Sequence, residues 1–233
     1  KSDILLKETA LLILVCINMK IKNLGWSSFL LSTGDISILT DPVALGESGL
    51  SFNKSKADVV LFTGKDLRGK EDILKEKNIL KKVEPDHREK VIEISSPGEY
   101  EIGGMMIRRA VDSPFYTIDE AVLRVVYMGL IDNSLDVSQT KDLGDVDVLI
   151  LPIGNGDLFI DYEKIEKILN YIDPTILLPC AYKQEGLKMG KELKSKEEFI
   201  KYFGFTNVKE DTYLNVTPSP EQENKNIEVI FLK

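Results

Sequence analysis

The sequence predicts a mixed α/β domain with two sheets covered by helices, and three observations lead there. Short apolar runs of β type alternate with Gly, Pro and Asp turn signals through the first half of the chain. Strand–helix–strand units follow in the second half. The length of 233 residues, with 43% hydrophobic and 29% charged residues, suits one well-filled soluble domain.

The elements follow in order. Residues 20–24 alternate as a strand and stop at Gly25. Residues 28–32 and 36–40 form a hairpin around Thr33-Gly34-Asp35, closed by Asp41-Pro42. Residues 57–62 are a short buried strand. Residues 70–82 set Ile73, Leu74, Ile79 and Leu80 among lysines and acids, which predicts a solvated helix. Residues 91–94 form a strand before the turn Ser96-Pro97-Gly98. Residues 100–109 and 120–128 read as further strands, with a loop around Ser113-Pro114, and Gly103-Gly104 is a turn or bulge signal. Residues 146–152 are the most hydrophobic strand. Asp161 is expected to cap a helix with Ile165, Ile168, Leu169 and Ile172 at helical spacing, ended by Pro174. After a strand at 176–179, Ser195 and Glu198 have capping-box spacing ahead of Phe199, Ile200 and Phe203, and Gly204 stops that helix. Pro218 and Pro220 mark a loop, and residues 227–232 close the fold.

Composition narrows function. Thirty Lys and Arg against 38 Asp and Glu give a net charge of −8, which repels phosphate backbones, so no nucleic-acid partner is expected. The apolar run at 10–17 is shorter than the about 20 residues that cross a bilayer. Asp3 and Glu8 offset Lys1 and Lys7, and no small-residue cleavage site follows. Residues 1–18 are therefore expected to be an appendage, with 19–233 as the single domain and no membrane partner. Cys16 and Cys180 make no disulfide framework and imply a cytoplasmic protein. With one His and two Cys, a site of several imidazoles cannot be assembled.

Six segments carry a resemblance. They are Ile21-Lys22-Asn23-Leu24-Gly25-Trp26-Ser27-Ser28-Phe29, Ile38-Leu39-Thr40-Asp41-Pro42, Ala57-Asp58-Val59-Val60-Leu61-Phe62-Thr63, and Pro97-Gly98-Glu99-Tyr100-Glu101-Ile102-Gly103-Gly104. Gly144-Asp145-Val146-Asp147-Val148-Leu149-Ile150-Leu151-Pro152-Ile153-Gly154 and Asp173-Pro174 with Leu178-Pro179 complete the set. In this order they resemble the metallo-β-lactamase fold, and within it the L-ascorbate-6-phosphate lactonase-like hydrolases. The resemblance implies a four-layer αββα sandwich with a zinc site at one edge. There, T-H-x-H-x-D-H, a bridging Asp and a late His would hold metal and activate water.

Set against that pattern, this chain has lost the ligands. Gly64 and Asp66 replace the first two His, Arg68 the Asp and Gly69 the next His. Trp26 stands where G-H-[SA]-x-F has His, Leu130 at the bridging Asp, and Ala181 at the His of P-x-H-Y. No zinc or other cofactor is expected. The candidates for any surviving chemistry are Asp66, Arg68, Cys180 and Lys183; Cys180 reads first as a buried inert thiol, and the alternative is a thiol whose pKa a neighbouring Lys183 cation lowers. Asp41, Asp66 and Asp132 are the carboxylates available for a hard metal ion, although Asp41 reads first as a turn residue. His87, in Glu84-Pro85-Asp86-His87-Arg88, reads as a solvated loop residue. The expectation is a non-catalytic binding or scaffolding module for a small molecule or protein. The alternatives are a divergent lactone or phosphate-ester hydrolase, or an assembly subunit; the oligomeric state stays open.

Overall fold

The computed structural model describes residues 18–63, 78–155, 158–188, 192–218 and 226–233. In chain order the first half contains β1 (Met19–Gly25), β2 (Ser28–Ser32), β3 (Ser37–Thr40), α1 (Pro42–Glu47), β4 (Ser55–Lys56), β5 (Val59–Leu61), β6 (Val83–Glu84), β7 (Ile92–Ile94), β8 (Gly98–Ile102) and β9 (Met105–Arg109). Next come β10 (Tyr116–Glu120), β11 (Leu123–Tyr127), β12 (Val148–Pro152), α2 (Tyr162–Ile172) and β13 (Ile176–Cys180). The chain closes with α3 (Lys196–Phe203), β14 (Val208–Asp211), β15 (Leu214–Val216) and β16 (Glu228–Leu232).

Two mixed sheets result. The six-stranded sheet runs β15-β1-β2-β3-β5-β7, and the eight-stranded sheet runs β14-β16-β13-β12-β11-β10-β9-β8. From β11 to β14 the eight-stranded sheet is parallel, with crossover helices between its strands. Side chains on these strands alternate between two cores. Val125, Tyr127, Val148, Ile150 and Leu178 face Ile21, Ile38 and Val59 across the gap between the sheets. Their neighbours Val126, Met128, Leu149, Leu151 and Leu177 face outward onto Ile165, Ile168 and Phe199 of the helices. Strands buried on both faces read as continuous apolar runs, which is why 146–152 stands out in the sequence. Helices cover the sheets and complete the αββα arrangement.

Several local expectations change. Residues 100–109 form a hairpin, β8 and β9, turning at Gly103-Gly104. The 120–128 run contains β11, and an additional strand, β10, precedes it and pairs with it through a turn that has Ala121 in the left-handed region at φ 51°. Alanine gives no turn signal, so that hairpin is invisible to composition. Asp161 sits at the N-cap of α2, yet its side chain makes no capping bond. The Ser195–Glu198 capping box forms in both directions, and Gly204 ends α3 at φ 67°. α1, β4, β6, β14 and β15 have no clear sequence signal, because tertiary pairing rather than local pattern makes them. Of the helix expected at 70–82, only 78–80 is helical among the described residues, and 1–17 lie outside them.

His87 is more than a solvated loop residue. Its Nδ1 lies 2.9 Å from Oδ2 of Asp58, whose carboxylate is fully buried. The amides of His87 and Asp86 donate to Oδ1 at 2.6 and 3.1 Å, and Ser37 N donates to Oδ2 at 3.0 Å. Burial pushes the Asp58 pKa up, but the bonds from His87 and Ser37 outweigh it and hold it at about 2. The bond to Asp58 raises the His87 pKa. A raised His pKa stabilises the fold below the unfolded value and loses that effect as pH rises through the folded one. The urea midpoint is therefore expected to fall between pH 6 and pH 9, and His87→Gln to flatten the drop. An equal drop in both proteins would refute the assignment.

Candidate functional site

The carboxyl ends of β3, β5, β11, β12 and β13 meet the β1–β2 turn at one edge of the sandwich. At its centre is the buried carboxylate of Asp41. Thr63 N donates to Oδ1 at 2.8 Å, and Thr63 Oγ1 donates to Oδ2. The Tyr127 hydroxyl also donates to Oδ2, at 2.6 Å, and lies 2.9 Å from the carbonyl of Ser27. Complete burial, and then the Asp41 charge, push the Tyr127 pKa far up, so the phenol stays protonated and acts as donor. Gly129 is required here: at φ 61°, a Cβ would stand 2.3 Å from Thr63 Oγ1.

Trp26 and Ala181 lie together. Ala181 N donates to the carbonyl of Trp26 at 3.3 Å, and both are in the left-handed region, at φ 50° and 55°. The Trp26 indole is buried and packs against Phe159, with ring centroids 5.6 Å apart. Gly154 permits this closure, since a Cβ there would meet the Ala181 carbonyl oxygen at 2.4 Å. Leu130 joins Thr63, Pro114, Ile131, Asp132 and Leu135 around a cavity of about 270 Å³. Ser27 Oγ is buried and has no partner among the described residues.

Cys180 is the buried thiol of its first reading and not the activated alternative. Burial, reinforced by Asp41, raises its pKa, while Lys183 is exposed. Strand alternation turns Cys180 into the inter-sheet core. Of the three carboxylates considered for a hard metal ion, Asp66 lies outside the described residues. Asp41 is bonded to Thr63 and Tyr127, and Asp132 accepts from Ser134 N at 2.7 Å. Among those residues no three of His, Cys, Asp and Glu are grouped as metal ligands would be. Gly64, Asp66, Arg68 and Gly69 lie outside the described residues. Sequence reading missed Tyr127; its only signal was its place before Met128-Gly129.

A family model described as "Beta-lactamase superfamily domain" matches residues 20–181. No curated protein matches the chain by sequence. Among solved structures, a Thermotoga maritima protein, described as a candidate Zn-dependent hydrolase of the metallo-β-lactamase superfamily, superposes with TM-score 0.68 at 21% identity, covering 92% of this chain and 100% of its own. A metal-dependent-hydrolase candidate from Parabacteroides distasonis gives 0.57 at 20% identity, covering 92% and 94%. Igni18, a metallo hydrolase from Ignicoccus hospitalis, gives 0.57 at 16% identity, covering 81% and 91%. At these identities the likeness is one of fold.

Two variants test the edge. Trp26→Ala removes a buried ring and is expected to cost about 3–5 kcal/mol of stability in denaturant melts. Tyr127→Phe removes one donor from a buried carboxylate and is expected to cost about 1–3 kcal/mol. Losses below about 0.5 kcal/mol would mean the edge is not packed as described. In Cys16→Ser protein, the native Cys180 thiol is expected to resist Ellman's reagent until the protein unfolds; rapid native labelling of that variant would contradict its burial.

Proposed function

Because the chain belongs to the β-lactamase superfamily-domain family, we propose that it is a zinc-free member of the lactonase-like branch, acting as a binding or scaffolding module. One observation carries the reading: a buried Trp26 ring fills the edge where this branch gathers its imidazoles, and its backbone is bonded to Ala181. The described residues at this edge do not fit zinc. Trp26, Leu130 and Ala181 offer no ligand atom, and Cys180 is held as a thiol rather than a thiolate. The Asp41 carboxylate is engaged by Thr63 and Tyr127.

Hydrolysis through Cys180 and Lys183 has no support, since the buried thiol is no nucleophile.

Metal analysis of protein purified without chelators decides the matter. Zinc well below one equivalent is expected, with no lactone or phosphate-ester hydrolysis above background. One or two tightly held equivalents of zinc, or hydrolysis abolished by a chelator, would overturn the proposal.

A further inference from the structure

The eight-stranded sheet ends on one side at β8, whose outer flank no strand covers among the described residues. Its five residues make it the longest free edge of the two sheets, against four in β14 and three each in β7 and β15. A free edge presents unpaired N–H and C=O groups that can template a further strand. Which groups point outward follows from the β8–β9 hairpin. Ile102 and Met105 pair across the two-residue turn Gly103-Gly104, in which both glycines have positive φ. In such a hairpin the pair flanking the turn exchanges hydrogen bonds, and bonded and non-bonded pairs alternate from there. Tyr100 and Gly98 therefore bond inward to β9, while the backbone groups of Glu99 and Glu101 point to the free edge.

Proteins often blunt such an edge with a bulge, a proline or lysines. β8 has none of these, and its register against β9 runs unbroken from Gly98 to Ile102. At β14, by contrast, Glu210 is taken by Lys196 and Lys233, and Lys209 by Glu228.

The side chains select the strand that fits. Glu99 and Glu101 stand exposed on the outer face of the sheet, while Tyr100 and Ile102 turn inward onto the inter-sheet core. Across that outer face acid already meets base from strand to strand. Glu99 lies 3.8 Å from Arg108 of β9, and Asp119 of β10 pairs with both Arg108 and Arg124 of β11. The Glu99 side chain is nevertheless 76% exposed, and Glu101, opposite Met106, has no ion-pair partner among the described residues. A basic strand beyond β8 continues the alternation. A second copy of β8 does the reverse. The residues that bond outward are the glutamates in both copies, so carboxylate would stand opposite carboxylate, which is destabilising.

We propose that the β8 edge takes an extended segment of a partner protein as an added antiparallel strand, with basic residues two apart opposite Glu99 and Glu101 and an apolar residue between them on the side of Tyr100. Backbone bonds supply the affinity and alternate side chains the specificity. The inference goes beyond the zinc-free reading and does not depend on it, because β8 shares no residue with the edge that Trp26 fills.

Fluorescence anisotropy of a labelled, end-capped ten-residue peptide of alternating lysine and valine, titrated with the full chain, tests it. Binding is expected with Kd below about 500 μM. The same peptide methylated on the backbone nitrogens of its lysines keeps its charge but cannot pair as a strand, and is expected to bind at least about tenfold more weakly. The double variant Glu99→Lys, Glu101→Lys changes only exposed side chains. It is expected to weaken the lysine–valine peptide at least about tenfold and to bind a glutamate–valine peptide in its place. No binding of the lysine–valine peptide, equal binding of the methylated form, or an unchanged Kd in the double variant would overturn the proposal. So would a native dimer that Glu101→Pro disperses, since a second copy would then occupy this edge. Metal content plays no part in these readouts, so they fail or succeed independently of the zinc measurement.

Discussion

The edge of this sandwich is organised by one buried charge. Asp41 is 5% exposed, and a carboxylate in that setting must be fully hydrogen-bonded or it destabilises the fold by several kcal/mol. Its donors come from different parts of the molecule: Thr63 from the end of β5 and Tyr127 from the end of β11 in the other sheet. The sheets are thereby locked in register where the loops leave them. Tyr127 also reaches the carbonyl of Ser27, so the β1–β2 turn that presents Trp26 is held by the same group. The backbone bears a cost for this, because Asp41 itself sits at φ 37°.

Strain gathers at the same place. Trp26, Asp41, Asn155 and Ala181 are all non-glycine residues in the left-handed region, and all lie where strands leave the sheets. Such conformations cost of order 1 kcal/mol or more each and persist where surrounding structure over-determines them. Here the surroundings are Gly129 against Thr63 and Gly154 against the Ala181 carbonyl, approaches that any side chain would block. Among the described residues, the side chains at this edge include an indole, a methyl group and a buried thiol. Close packing of Trp26 on Phe159 turns a site geometry into a core geometry.

Much of the frame was legible because its signals are local or strictly periodic. The run at 146–152 announced a doubly buried strand, and the Ser195–Glu198 spacing announced the start of α3. The order of weak segments from Ile21 to Pro179 pointed to the family. The hairpin at Ala121 was missed because an alanine in the left-handed region has no composition signal. β14 and β15 were missed because edge strands with polar faces show little period and form only against β16 and β1. Asp161 looked like a cap because its residue type favours caps, but its amide is held instead by Asn133 Oδ1 at 2.9 Å.

The chain by itself determined the layered α/β class, the core-facing positions and the shortage of imidazoles, because burial patterns, capping pairs and composition are properties of neighbouring residues and counts. Only the tertiary structure decided what those residues do. It joined Asp41 to Tyr127, 86 positions apart, and made a turn residue the hub of an interface between sheets. It took His87 from its loop to a buried Asp58, 29 positions away. It buried Cys180 in the inter-sheet core and packed Trp26 on Phe159. The physical reason is the same in each case: desolvation and pairing depend on which distant groups share a dry space, and sequence separation carries no record of that.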